Sequence, residues 1–447
     1  MNLHRLLQGR ARDQNPVRIG LIGVGKFGSM FVSQVRRTTG MHLLAAADLD
    51  VKGARAAFAR TGWDESAYDA GSVDEALKTG KTCLLDDAQT LLDAPGLEVV
   101  IECTGVPSLG ARHAKLAIDR GLHVVMVNVE ADVLVGPWLA RRAREAGVVY
   151  SMAFGDQPAL ICEQVDWART VGMEVVAAGK GTKYLPEYHR STPDTVWNHY
   201  GFTEQQLAQG DFNPRMFNSF LDGTKSAIEM AAVANATGLV PQSDGLRFPP
   251  AGVDHLADVC RPENAGGVLQ HSGTVEVVSS LERDGSEVPR DLRWGTYVTF
   301  EGDTDYVRRC FSEYGLVTDS SGRFSSLYRP SHLIGLELGV SVASAALRGE
   351  PTGMSEYWLG DVIATAKRDL AIGELLDGEG GYCVYGRLMR VQDAKALGGL
   401  PIGLAEGIKL RRAVRAGEPV CRDDVALDPA ADIVAMRDAM EAELGAE

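Results

Sequence analysis

The chain reads as an α/β protein: a doubly wound parallel (Rossmann) sheet, then an α+β domain, then a small β-rich module. Three observations carry that reading. An apolar run, Val17 to Ile22, enters the glycine-rich turn Gly23-Val24-Gly25-Lys26-Phe27-Gly28, after which Met30, Phe31 and Val35 recur at helical spacing. Strand and helix candidates then alternate as far as Ala153, the pattern of parallel strands joined by crossover helices. Beyond Gly155-Asp156-Gln157-Pro158 the alternation stops, and strand candidates follow one another without a helix between each pair.

The glycine turn sets the first domain, residues 1–155. Gly23 permits the tight turn, Gly25 lets backbone approach a pyrophosphate, and Gly28 lets helix and strand pack closely. Phosphate charge then faces the N-terminus of the helix that begins at Lys26 and Phe27. A second apolar run, Leu43 to Ala47, ends in Asp48, twenty residues beyond Gly28, where such folds place the acid that holds the adenosine ribose. A nicotinamide dinucleotide is therefore the expected cofactor. Asp48 favours NAD because its carboxylate repels a 2'-phosphate, whereas Lys52 and Arg55 could neutralise one, so NAD and NADP both stay open.

Val51 to Arg60 reads as a helix and Thr61 to Gly80 as a polar insertion. Strand candidates Glu98 to Cys103, Leu122 to Val127 and Val148 to Ala153 alternate with helix candidates Pro107 to Arg120 and Asp132 to Ala146. Ligands bind at the carboxyl ends of such strands. Two ends carry polar residues there: Cys103-Thr104-Gly105, and Asn128-Val129-Glu130-Ala131-Asp132. Read as a continuing strand, the second puts Glu130 and Asp132 on one side, able to bind substrate hydroxyls or a divalent cation; the alternative is that Asp132 caps the next helix.

Residues 156–330 form the expected substrate domain, with strand candidates Val171 to Ala178, Thr274 to Leu281 and Trp294 to Phe300, and a long helix from Ser219 to Ala236. Three clusters there could do chemistry. Lys180-Gly181-Thr182-Lys183-Tyr184 ends a strand candidate, where two lysines suit an anionic group or are simply solvated. Asn218-Ser219 opens the helix that bears Lys225 and, four residues on, Glu229, an expected ion pair on one helix face. Because Ala227, Ile228 and Met230 to Ala234 surround that pair, the helix is expected to be largely buried and its lysine to have a reason. Arg329 and His332, flanking Pro330, could complete an anion pocket or merely lead into a helix. Helices at Leu333 to Arg348 and Gly360 to Leu376 are expected to pack back on the first domain as a segment 331–380, and 381–447 is the β-rich module, ending in a helix from Ile433 to Leu444.

Composition bounds the partners. A chain of 447 residues with 45% hydrophobic and 23% charged residues is that of a globular protein of several domains. A formal charge of -15 disfavours nucleic acid and anionic membranes, which need a basic surface. Seven scattered cysteines without a CxxC pair match a reducing compartment, and the N-terminus lacks a signal-peptide pattern, so a cytoplasmic location is expected. The histidines show no zinc-ligand spacing, and there is no GxSxG elbow. The expected partners are a small anionic substrate and a second copy of the chain, since a mixed sheet leaves an open edge.

Over roughly the first 375 residues the chain resembles homoserine dehydrogenase-like proteins. The likeness rests on the glycine turn, Cys103-Thr104-Gly105, Asn128, Lys180-Gly181-Thr182, the helix with Lys225 and Glu229, and Asp361-Val362-Ile363-Ala364-Thr365-Ala366. The departures are Val129-Glu130 where those enzymes carry a lysine after the asparagine, and a lysine-then-acid order where they carry acid then lysine. Met126 to Asp132 and Asn218 to Glu229 are more similar to the 1-deoxy-D-xylulose 5-phosphate reductoisomerase-like group. That resemblance implies NADPH and, by analogy with ordinary reductoisomerases, a metal with Glu130, Asp132 and Glu229 as candidate ligands. The tail resembles a SAF domain through Leu400-Pro401-Ile402-Gly403-Leu404 and Gly417-Glu418-Pro419-Val420. The implied activity is NAD(P)H-dependent reduction of a small polyhydroxylated, phosphorylated ketone or aldehyde. Lys225 would act on the carbonyl oxygen, Glu229 would orient it, and Lys180 and Lys183 would hold the anionic end. The rivals are homoserine dehydrogenase and a non-catalytic dinucleotide sensor.

Overall fold

The computed structural model describes residues 2–209 and 212–445. The chain divides into two compact units: one comprises the chain up to Leu160, His332–Glu356 and the chain from Ala435; the other comprises Ile161–Ser331 and Tyr357–Val434. Among the described residues no helix is long and apolar enough to cross a membrane.

The first unit is built on six parallel strands: β1 (Val17–Ile22), β2 (Met41–Ala47), β3 (Cys83–Leu85), β4 (Val99–Glu102), β5 (His123–Met126) and β6 (Tyr150–Met152). Their spatial order is β3-β2-β1-β4-β5-β6, the arrangement of a dinucleotide-binding sheet with its switch point beside β1. The run Val17 to Ile22 lacks polar alternation because helices cover both faces of β1. In register, Ile19 lies beside Leu43 on β2 and Val99 on β4, and all three are buried with Phe31, Val32, Ile101 and Val125. Helix Gly339–Arg348 adds Val342 and Ala343 to this same core.

The second unit holds a mixed sheet of β7 (Glu174–Thr182), β8 (Thr274–Ser279), β9 (Thr296–Glu301) and β10 (Phe324–Arg329), ordered β10-β9-β7-β8. Strands β7 and β8 run parallel, and the other pairs are antiparallel. Two short antiparallel pairs complete the unit: β11 (Gly360–Ala366) with β13 (Val384–Arg390), and β12 (Leu375–Asp377) with β14 (Glu406–Lys409).

Three expectations are corrected. Gly360 to Leu376 is not a helix: Gly360–Ala366 is a strand buried at every residue, and Leu375 begins another. A short, wholly buried apolar run has no periodicity to separate strand from helix, and β-branched Val362, Ile363 and Thr365 favour the strand. The helix from Ser219 to Ala236 is two helices, Pro214–Leu221 and Thr224–Thr237, broken at Asp222-Gly223, where Gly223 takes φ +87°. Finally, Val129–Glu145 is helical, so Glu130 and Asp132 sit on a helix rather than on a continuing strand.

Candidate functional site

The glycine turn of the first unit has the shape its spacing demands. Gly23 has φ +90°, and a Cβ there would stand 2.8 Å from the backbone of Cys103. A Cβ on Gly28 would come within 2.2 Å of the Gly23 carbonyl oxygen, so only glycine lets helix Lys26–Val35 sit this close to β1. Around Gly25 the reverse holds: nothing lies within 4 Å of a built Cβ, which leaves room for a backbone-bound phosphate at the helix start. Asp48 follows β2, and its two oxygens accept from the amides of Val24 at 2.8 Å and Asp50 at 2.9 Å. The carboxylate is thereby fixed against the glycine turn with lone pairs to spare for ribose hydroxyls. Arg55 is paired with Glu65 at 3.5 Å and lies over the Tyr68 ring, so it is engaged within its own surroundings. These residues fit a nicotinamide dinucleotide.

The ends of β4 and β5 are more closed. The Thr104 hydroxyl donates to Glu102 at 2.5 Å, and His113 Nδ1 lies 3.3 Å from the same carboxylate oxygen. Burial pushes the Cys103 thiol well above its ordinary value. Asn128 caps helix Val129–Glu145, its side-chain oxygen accepting from the Ala131 amide at 3.1 Å. Asp132 is therefore not the cap. It is buried beneath the helix, accepting from Tyr150 at 2.9 Å and Ser355 at 2.8 Å, and burial raises its pKa to about 6. Glu130, two residues earlier, points elsewhere on the helix, because neighbours two apart do not share a helical face.

In the second unit, the lysine expected to be solvated is the buried one. Lys180 on β7 is 5% exposed and forms an ion pair with Glu229, itself 2% exposed on helix Thr224–Thr237. Glu229 thus engages Lys180 rather than serving as the private partner of Lys225, which is half-buried on the first turn. Lys183 does not stand beside Lys180: three residues on, it faces the other side and donates to the carbonyl of His199, and desolvation lowers its pKa. The expected cradle of Lys180 with Lys183 is therefore corrected to a pair of Lys180 with Glu229.

Of the remaining candidates, Asn218 is buried, accepting from the Ser191 hydroxyl at 2.7 Å and donating to Gly380 O at 3.0 Å, and Ser219 donates to Met216 O at 2.9 Å. Arg329 ends β10 and donates to Ser331 O at 3.1 Å. It belongs to the second unit and His332 to the first. Among the described residues no three His, Cys, Asp or Glu side chains converge as a metal-binding group. Asp132 and Glu229, two of the three expected ligands, are already engaged, one with hydroxyls and one with an ammonium. The donor set does not fit a divalent cation.

The structure also assembles residues that the sequence alone left aside. Tyr184 and His189 are 3.0 Å apart, and His189 Nδ1 donates to the Asp222 carbonyl at 2.7 Å. Lys367 is buried against Asp222 at 2.7 Å. The one local signal was the dipeptide Asp222-Gly223, a turn marker inside an apparent helix.

Comparison with known proteins gives one family match and several distant structural likenesses. Residues 155–338 match the family model described as oxidoreductase DRL, catalytic domain. That stretch holds the Lys180–Glu229 pair and follows the dinucleotide-type sheet. The chain is an NAD(P)-dependent oxidoreductase. No curated protein matches it. Among solved structures it is similar to UDP-N-acetylglucosamine 3-dehydrogenase GnnA from Acidithiobacillus ferrooxidans, at 12% identity over 76% of this chain and 91% of that one, with a TM-score of 0.37. It is also similar to myo-inositol dehydrogenase from Lactobacillus casei in complex with NAD(H) and myo-inositol, at 15% identity over 71% and 75%, with a TM-score of 0.35. A third is the WlbA dehydrogenase from Bordetella pertussis in complex with NADH and UDP-GlcNAcA, at 13% identity over 64% and 72%, with a TM-score of 0.35. Likenesses this slight carry nothing about the substrate.

Proposed function

We propose that the enzyme uses NAD(P)H to reduce a small, polyhydroxylated, phosphorylated ketone or aldehyde, as a reductase or a reductoisomerase. The observation that carries this reading is the Lys180–Glu229 pair, buried between β7 and a helix otherwise lined by Ala227, Ile228, Met230 and Ala231. A buried ion pair is a poor source of stability, because desolvation of both charges offsets their attraction. Its value lies in chemistry. An ammonium fixed in an apolar setting is preorganised to meet negative charge that develops on a carbonyl oxygen, the largest rate term expected of such a site.

Bound NAD(P)H would supply the hydride that reduces the carbonyl carbon. Lys180 donates a proton to the carbonyl oxygen and is recharged from solvent, while Glu229 holds the ammonium in place. Lys225, four residues before Glu229 on the same helix, is the second cation and serves the anionic end of the substrate. The role first given to Lys225 thus passes to Lys180. If rearrangement precedes reduction, the carbonyl and its neighbouring hydroxyl must both be held, which suits a site carrying an ammonium and a carboxylate side by side.

The test is turnover of 1-deoxy-D-xylulose 5-phosphate, other sugar phosphates and aldoses with NADPH and with NADH, and of homoserine with NADP+ and with NAD+, each with and without magnesium or manganese. The reading expects consumption of NAD(P)H with a sugar phosphate and no formation of NAD(P)H from NAD(P)+ with homoserine. Turnover of homoserine alone would overturn it, and dinucleotide binding without any turnover would favour the sensor.

A further inference from the structure

The break at Asp222-Gly223 is held by residues that come from far along the chain. Lys367 directly follows β11, and its buried ammonium donates to Ser191 O at 2.8 Å and Gly381 O at 2.7 Å while pairing with Asp222 at 2.7 Å. The other oxygen of Asp222 accepts from the amide of Thr224, the first residue of the next helix, at 2.9 Å. Its carbonyl takes the His189 Nδ1 proton at 2.7 Å. A carbonyl can only accept, so Nδ1 carries the hydrogen, and Nε2 is left to accept from the Tyr184 hydroxyl at 3.0 Å.

Strand β13 bears on the same spot. The His189 ring stacks on Tyr385, with centroids 4.4 Å apart and planes at 25°. The Gly386 amide donates to the Thr224 hydroxyl at 2.8 Å. Asn218 closes the ring of contacts between Ser191 and Gly380. Gly223 leaves little slack: a Cβ there would stand 3.2 Å from the His189 ring. So the point from which helix Thr224–Thr237 starts is defined by Lys367, Gly381, Tyr385 and Gly386 as much as by the helix itself.

We propose that Lys367 and Asp222 are positioning residues, through which the C-terminal β-rich segment of this unit sets the start of the helix that carries Lys225 and Glu229, and through Glu229 the ammonium of Lys180. The proposal rests on the reading of Lys180 given above. Neither Lys367 nor Asp222 meets substrate in this account; each acts through the helix. A tail that looks like an appended module is then a working part of the reduction.

The experiment uses the full chain as Lys367→Met and Lys367→Arg, with 1-deoxy-D-xylulose 5-phosphate and NADPH as probes and hydrogen exchange followed at the amides from Thr224 to Glu229. Lys367→Met is expected to lower kcat by about 30-fold while KM stays within about 3-fold, with NADPH affinity unchanged. Exchange over Thr224 to Glu229 is expected to rise by about 10-fold, while amides of β1 and β4 keep their protection. Lys367→Arg, which keeps the charge, is expected to restore much of both. A folded Lys367→Met chain with unaltered exchange and kcat would overturn the proposal. Should Lys367→Met not fold, Tyr385→Leu leaves every charge in place: faster exchange at the helix start supports the proposal, and unaltered exchange overturns it. If the unmodified enzyme turns over none of the sugar phosphates with either NADPH or NADH, the functional reading falls, and the exchange measurement still decides the clamp.

Discussion

Lys180 on β7 and Glu229 on helix Thr224–Thr237 form an ion pair, although 49 residues separate them in the chain, and both are almost wholly buried. Lys225, on the same helix, is the more exposed of the two lysines. The pair predicts a clear hierarchy. Lys180→Met should lower kcat by about 100-fold or more with dinucleotide binding intact, the loss expected when a charge-stabilising donor is removed. Lys225→Met should act mainly on KM, through the anionic end of the substrate. Single-turnover rates and NADH fluorescence titrations would check both, and the assignment fails if Lys225→Met costs the larger share of kcat.

The glycine turn predicts two alanine variants with opposite signatures. Gly28→Ala puts a methyl group 2.2 Å from the Gly23 carbonyl oxygen, so the fold must shift and its stability should fall by roughly 1 to 3 kcal/mol. Gly25→Ala meets nothing within 4 Å. Its melting temperature should be unchanged while dinucleotide affinity drops about 10-fold or more, because only the approach of the pyrophosphate is blocked. Thermal melts with and without NADH separate the two effects.

What was legible in the sequence was local. Gly23, Gly25, Gly28 and Asp48 lie within one strand-turn-helix-strand unit, so their spacing already implies their geometry. The Lys180–Glu229 pair was not legible, since each residue has a plausible local partner, Lys183 or Lys225, and only tertiary packing chooses between them. Asp132 was misplaced for a related reason. Asn128 is as good an N-cap as Asp132, and taking it as the cap starts the helix four residues earlier, which turns Asp132 inward to Tyr150. Gly360–Ala366 was misread because a wholly buried segment offers no polar face from which to read a period.

Asp48 predicts cofactor preference. A carboxylate already tied to the amides of Val24 and Asp50 cannot swing away from a 2'-phosphate, so NADH should bind about 10-fold or more tightly than NADPH. Asp48→Ser loses the repulsion, and the ratio of the two affinities should narrow or invert. Taking the ratio matters, because the lost contacts to backbone weaken both cofactors alike. A preference for NADPH in the unmodified chain would show that Lys52 or Arg55 outweighs the acid.

Glu276 on β8 predicts a pH dependence of stability with a sign opposite to that of most carboxylates. It is wholly buried and pairs with no cation among the described residues; it accepts from the amides of Val277, Arg247 and Phe248 and from the Gln242 side chain at 2.7 Å. Burial is the dominant influence and raises its pKa from 4.5 to about 7, outweighing the hydrogen bonds that favour the ionised form. The folded state therefore binds the proton more tightly than the unfolded chain. The stability this gives is complete below the unfolded pKa and is lost as the pH climbs through the folded one. Between pH 5 and pH 8 the loss should be on the order of 2 kcal/mol. Asp132, raised from 3.8 to about 6, contributes with the same sign over a lower range. Urea midpoints at the two pH values would measure the slope in the unmodified chain and in Glu276→Gln. The glutamine variant should start from a lower baseline, because its amide cannot accept from every donor that the carboxylate satisfies, yet it should lose less on going to pH 8. An identical slope in both would show that Glu276 is ionised in the folded protein throughout that range.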